Sequence, residues 1–154
     1  MYQVSVALHV VAAIIGFGAT FTYPVIQLVA ERRGPRALAV GMSTILAISR
    51  FVAVPATVFV GITGVYQIAE GPYSLDEAWL AAGVALYAFV MVVGVFVLAP
   101  AYRRAERAAA RAAESDEERL PPEYRRALRL PVLLGPAVAA GIVAAAVLME
   151  VKPG

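Results

Sequence analysis

One histidine and one arginine stand inside stretches that are otherwise apolar: His9 in residues 4–30 and Arg50 in residues 37–69. An ionisable side chain at membrane depth is costly, roughly 2.5–3.5 kcal/mol for a centred Arg on insertion scales, so both are candidate functional sites. His9 is the only histidine. Its imidazole could ligate haem iron or another metal such as copper, relay a proton, or stay neutral and hydrogen-bond a neighbouring helix. At about 1.5 Å of rise per residue it lies roughly 12 Å below the outer membrane surface. A haem would want a second axial group. Met149 is expected in the same leaflet and Met91 deeper, and a single-histidine haem, a His/Met pair and a site shared across a dimer all stay open.

Arg50 stands near the middle of its stretch, just before Pro55. Pro55 has no N–H, so the Phe51 carbonyl loses its helical partner. The expectation is that Arg50 points into the bundle, toward freed carbonyls, Ser49, Thr57, tyrosine hydroxyls or a bound anionic group. That group could be a haem propionate, a lipid headgroup or a carboxylate substrate. The plain structural reading is that Arg50 hydrogen-bonds inside the bundle or snorkels inward, without binding a ligand. His9 is expected to point inward too, toward the third or fourth span or a cofactor. The two are expected to differ in depth by more than about 10 Å, too far for one small site.

Little else in the chain suggests chemistry. With no cysteine, disulfides, thiolate metal sites and thiol nucleophiles are excluded. No phosphate loop, Ser/His/Asp set or carboxylate pair with catalytic spacing is present, and whether the protein is an enzyme is not written in the sequence. Glu150 reads as an interfacial residue. Tyr2, Tyr66, Tyr73 and Trp79 read as an outer aromatic belt.

The elements that must position these residues are plain. Residues 4–30, 37–69, 78–100 and 131–149 are almost wholly apolar, and 61% of the chain is hydrophobic against 16% charged. Each stretch can cross a bilayer core of about 30 Å, which takes roughly 20 helical residues. The expected architecture is all-α: one four-span transmembrane domain over residues 1–154. The first stretch lacks a positive leading region and is too long for a signal peptide, so it reads as a permanent span. Small and polar residues recur at helical spacing: Ser5, His9, Ala12, Gly16, Thr20 and Tyr23; Arg50, Ala53, Thr57, Gly61 and Gly64; Gly83, Tyr87, Val90 and Gly94; Ala137, Gly141 and Ala145. Helices in lipid pack through such stripes, which predicts a compact four-helix bundle. Gly34-Pro35 marks a turn, and Gly135-Pro136 predicts a kink in span four.

Arginine placement sets orientation. Arg32, Arg33 and Arg36 lie in the first connection, and Arg103, Arg104, Arg107, Arg111, Arg119, Arg125, Arg126 and Arg129 in the third. The 70–77 loop carries Glu70, Asp76 and Glu77 and no positive charge. Both basic connections should be cytoplasmic and both termini outside, with Lys152 a weak counter-signal. The 101–130 connection is rich in Ala, Arg and Glu and should be a cytoplasmic helical extension, broken at Pro121-Pro122. Ser115 and Glu118 have capping-box spacing. The basic pI of 9.2 therefore reflects topology and contact with anionic lipid. The interspersed acids Glu106, Glu114, Asp116, Glu117 and Glu118 speak against nucleic acid as a partner.

The opening LHVVAAIIGFGATF, the ITG of span two, LAPAYRR after span three and the closing LMEVKPG resemble an uncharacterised family of bacterial integral membrane proteins, domain-of-unknown-function family 2269. That family is distantly similar to CopD-like copper-resistance proteins and HemJ-like protoporphyrinogen oxidases, which also open a span with Leu-His. The resemblance implies a bacterial cytoplasmic-membrane protein and associates the histidine at the Leu8-His9 match with haem. The HemJ pattern pairs that histidine with a lysine in a later span, and spans two to four here contain none. One histidine with scattered methionines also makes a poor copper site.

The leading expectation is a ligand- or cofactor-binding protein, or an accessory subunit of a larger membrane complex. A haem-dependent redox protein using His9 is the first alternative. A small transporter working as a homo-oligomer is the second, although the chain is short for an alternating-access carrier and no repeat between halves stands out.

Overall fold

A computed structural model describes residues 1–115 and 119–152, and the described residues form helices and turns with no strand. The helices are α1 (Tyr2–Thr20), α2 (Tyr23–Arg32), α3 (Pro35–Ile48), α4 (Val54–Glu70), α5 (Ala78–Val93), α6 (Ala99–Glu114), α7 (Pro122–Ala127) and α8 (Arg129–Val151). Two π turns, Ser49–Ala53 and Gly94–Leu98, join α3 to α4 and α5 to α6. Four continuous runs result, Tyr2–Arg32, Pro35–Glu70, Ala78–Glu114 and Pro122–Val151, each long and apolar enough to cross a membrane.

Proline explains the breaks. Pro24, Pro55 and Pro100 each occupy the first turn of a helix, where a missing N–H costs nothing. Before Pro55 the Val54 N–H reaches back to the Ser49 carbonyl, and before Pro100 the Ala99 N–H reaches back to Gly94. Those are i→i+5 bonds, so each span inserts one extra residue beside its proline. Pro136 is different: it lies inside α8, which runs on around it. Gly34, at φ +93, makes the sharp turn between α2 and α3 that a Cβ would oppose. The stretch after span three is helical through Glu114, whereas Glu118 of the expected capping box falls outside the described residues.

The chain ends meet at one end of the bundle. The Lys152 ammonium donates to the Tyr73 hydroxyl at 2.7 Å, and a Cβ on Gly71 would meet the Tyr2 hydroxyl. Counting about 20 residues (~30 Å) from this terminal end reaches Thr22, Arg50, Ala99 and Leu130 on the four runs. Polar markers appear at that depth on every run: the Phe21-Thr22 turn, Arg50, Tyr102 with Arg103, and Arg129. The bundle is therefore taller than a bilayer and continues past it at the arginine-rich end.

Packing differs along this axis. In the apolar slab α1 lies on α4 and α5 on α8. Toward the arginine-rich end α3 lies on α6 and on α2, and α6 on α7. There the largest fully buried side chains gather, Leu38, Met42 and Ile45, at 0, 0 and 1% exposure. Tyr23, Ala105, Ala109, Tyr124 and Leu128 complete that core. Ala101, Ala105, Ala108, Ala109 and Ala112 of α6 are buried while Arg103, Arg104, Arg107 and Arg111 stay exposed, so the Ala/Arg alternation is an amphipathic helix. Tyr124 donates to the Glu31 carboxylate, which also accepts from Gln27 at 2.9 Å, tying α7 to α2. On α2, Val25, Leu28 and Val29 remain exposed within about two turns of the slab boundary.

Candidate functional site

The α1–α4 seam is built on missing side chains. A Cβ on Gly16 would lie 2.9 Å from the Ala56 Cβ and 3.2 Å from the Thr57 amide nitrogen. The two backbones are therefore as close as glycine allows, the packing mode open to helices in lipid. Farther toward the terminal end the seam widens enough to hold the half-buried ring of His9. Its Cε1 would be 3.4 Å from a Cβ on Gly64, ordinary contact distance.

His9 Nδ1 lies 2.9 Å from Thr63 Oγ1. The same oxygen lies 2.8 Å from the Phe59 carbonyl and 3.1 Å from that of Val60. Thr63 has one hydroxyl hydrogen. With that hydrogen donated to the carbonyls, the hydroxyl can only accept from the ring. His9 is then the Nδ1–H tautomer, and Nε2 keeps its lone pair outside this bond. A hydrogen bond on one ring nitrogen fixes the orientation and basicity of the other.

Polar groups continue from His9 to the terminal end along the same seam. Gln67 Nε2 donates to the Ser5 carbonyl at 3.3 Å. The Ser5 hydroxyl oxygen is buried and has no hydrogen-bond partner among the described residues, and the Tyr2 hydroxyl is buried beside that of Tyr73. A third helix closes the far side of α4: the Tyr87 hydroxyl donates to the Thr57 carbonyl at 2.9 Å, and a Cβ on Gly61 would stand 2.5 Å from it. Below His9 the buried Ala12, Gly16 and Thr57 leave only small side chains in close contact.

Arg50 is not part of this seam. It was expected inside the bundle, yet its side chain is exposed, with the guanidinium 5.6 Å from the centre of the Phe51 ring. The cause is the π turn. One extra residue rotates everything before it by about 100°, a full helical position. The stripe Ala53, Thr57, Gly61 is kept, and Arg50 is turned off it to the outer surface. The expectation for His9 is corrected in part: it faces the bundle, but its partners are on the second span.

A family model for predicted integral membrane proteins, DUF2269, matches residues 3–153. The chain belongs to the DUF2269 family. Among curated proteins and among solved structures nothing matches it. DUF2269 membership makes this an integral membrane protein and leaves its activity to the site itself.

The side chains that a haem in this DUF2269 bundle would need are only partly gathered. His9 presents one ring nitrogen outside its bond to Thr63. Met149 packs against Gly83 between α5 and α8, a Cβ there meeting its Cε at 2.5 Å. Of the groups a haem would need, the seam shows one nitrogen ligand, at His9. Among the described residues no three His, Cys, Asp or Glu side chains come together as a metal site. An apolar groove of about 690 Å³ does open elsewhere, between Phe21 and the α8 face bearing Ala140, Val143 and Val147, but it does not include His9.

Trp79 was expected in an outer aromatic belt and is instead buried, edge-on to Tyr73 and donating to Glu77 at 2.7 Å. Lys152 lies 4.8 Å above the Tyr73 ring. Its hydrogen bond to Tyr73 raises the Lys152 pKa and lowers that of Tyr73. Two residues of the site escaped the sequence reading as contacts. Tyr87 stood on a predicted stripe without an assigned partner. Thr63 stood beside the stripe, and its place in the ITG motif was the one signal pointing to it.

Proposed function

We propose that this DUF2269 protein is a binding or accessory subunit of the bacterial cytoplasmic membrane, N-out and C-out, that engages a small ligand or cofactor through His9. The observation that carries this reading is the His9–Thr63 bond. It fixes the ring in a seam of polar groups that runs to the terminal end, and it aims the Nε2 lone pair away from the protein's own hydrogen bonds. Ser5 and Tyr2 add hydroxyls that can both donate and accept. The orientation rests on arginine placement, since basic connections stay on the cytoplasmic side. His9 then faces the outer leaflet.

A haem-binding reading is supported by the same nitrogen. Haem, when bound, would supply one-electron chemistry. His9 would hold the iron, Thr63 would fix the ring, and the α1–α4 contact below would exclude water. A second protein ligand would come from Met149 or from another copy or subunit.

The test is purification in mild detergent, followed by an absorbance spectrum and mass spectrometry of the intact protein with its bound small molecules. Wild-type protein should carry a bound molecule that His9→Ala loses while keeping its helical content. A Soret band that disappears in His9→Ala would select the haem reading. Equal small-molecule content in both proteins, or none in either, would overturn the proposal.

A further inference from the structure

The two π turns are built alike. Each ends two residues before a proline, and each exposes a phenylalanine at its third position, Phe51 and Phe96, both 73% exposed. They differ at the second position, where one turn has Arg50 and the other Val95. Arg50 stands about 30 Å from the terminal end, at the boundary of the apolar slab nearest the arginine-rich end. Side chains on a helix lean toward its N-terminus. For this run the N-terminus is the arginine-rich end, so Arg50 leans toward the headgroup layer.

The surface on either side of Arg50 is of two kinds. Toward the slab, Phe51 in the π turn and Val58 and Ile62 on α4 are exposed apolar side chains. Toward the arginine-rich end, the exposed face of α3 carries Ser43, Thr44 and Ala47. Ser43 and Thr44 each donate their hydrogen to the Val40 carbonyl at 2.8 Å, so toward a ligand their oxygens are acceptors. No carboxylate stands among those three residues to hold a headgroup ammonium.

We propose that this face binds one anionic glycerophospholipid of the leaflet at the arginine-rich end. The Arg50 guanidinium takes the phosphodiester, the Ser43 and Thr44 oxygens accept from headgroup hydroxyls, and an acyl chain lies along Phe51, Val58 and Ile62. A guanidinium suits this role because it stays charged and can meet two phosphate oxygens at once. The turn bearing Val95 is the internal control, with the same backbone and the same exposed ring but no charge. This site is independent of the reading of His9.

The experiment is native mass spectrometry of delipidated protein titrated with phosphatidylglycerol, phosphatidylcholine or inorganic phosphate. Wild type should bind a first phosphatidylglycerol on the order of fivefold more tightly than Arg50→Gln, the effect of one arginine near the surface. Arg50→Lys should fall between them, and Arg107→Gln, on the exposed face of α6, should match wild type. Each variant is checked for unchanged helical content, which an exposed position permits. Equal phosphatidylglycerol affinity in wild type and Arg50→Gln would overturn the proposal. So would equal affinity of wild type for phosphatidylcholine. Displacement of the lipid by millimolar inorganic phosphate would also overturn it, by showing an anion site with no need of the acyl chain.

Discussion

The apolar slab and the arginine-rich end solve the same packing problem with different residues. In the slab small residues line the helix contacts, Ala12 and Gly16 on α1, Thr57 and Thr63 on α4, Gly83 on α5 and Gly141 on α8, beside the larger buried Val60, Trp79, Leu80, Val90 and Val138. Side-chain hydrogen bonds link the helices there, from His9 to Thr63 and from Tyr87 to Thr57. At the other end the most fully buried large side chains gather, with Leu38, Met42 and Ile45 meeting Tyr124 and Leu128 against the α6 alanines. Lipid tails compete with apolar side chains on equal terms, so helices within the slab gain from close backbone approach and hydrogen bonds. Past the boundary water restores the hydrophobic driving force, and a dense core becomes worth building. The difference teaches that the chain is a membrane bundle resting on a helical module with a water-type core.

The largest effect should come from that module. Met42→Ala should lower stability by about 2–5 kcal/mol, as expected for a fully buried side chain that leaves a cavity. Val138→Ala in the slab, where small residues and lipid take up the change, should cost about 1 kcal/mol or less. Unfolding in mixed micelles measures both. Equal losses would remove the distinction between the two regions.

The next effect sharpens the slab side. Gly16→Val should cost about 1–3 kcal/mol by overpacking, because its Cβ would press on Ala56 and on the Thr57 backbone. The same change at Gly18, which faces open space, should be nearly neutral. Matching melting curves for the two variants would show that α1 and α4 are not in close contact. A smaller loss, about 0.6 kcal/mol, is expected for Thr63→Val, the usual size of a helix–helix hydrogen bond in membranes.

The four spans were legible because a run of apolar residues long enough for a bilayer has few other readings. The stripes through Gly16, Thr57, Gly83 and Gly141 were legible for the same reason, since 3.6-residue spacing places them on one face. Arg50 was misread because that spacing fails across a π turn, and the extra residue leaves no mark beyond the nearby Pro55. The core at Leu38, Met42 and Ile45 was also hidden. Those residues extend an apolar run without a break, and only the length of the helices shows that they lie past the slab. The Thr63 partner of His9 depended on how two helices were rotated about each other, which periodicity within one helix does not fix.

The smallest effect concerns the terminal end. Lys152 has a raised pKa because of its hydrogen bond to Tyr73, so the tether is fully present below the ordinary lysine value. It is lost as pH rises through the raised one, and Trp79 fluorescence should report it, the Lys152 ammonium being 5.9 Å from that ring. The fluorescence change should vanish in Lys152→Met. An unchanged alkaline transition in that variant would remove the tether from the account.

The account rests most directly on the state of the His9 ring, which nitrogen-15 NMR of labelled protein in lipid bilayers reads out. At neutral pH the expected spectrum shows a protonated Nδ1 and an Nε2 with a free or ligand-bound lone pair, altered in Thr63→Val. A spectrum showing protonated Nε2, with Nδ1 accepting from Thr63, would contradict it, because the nitrogen offered to a ligand would then be the one without a lone pair.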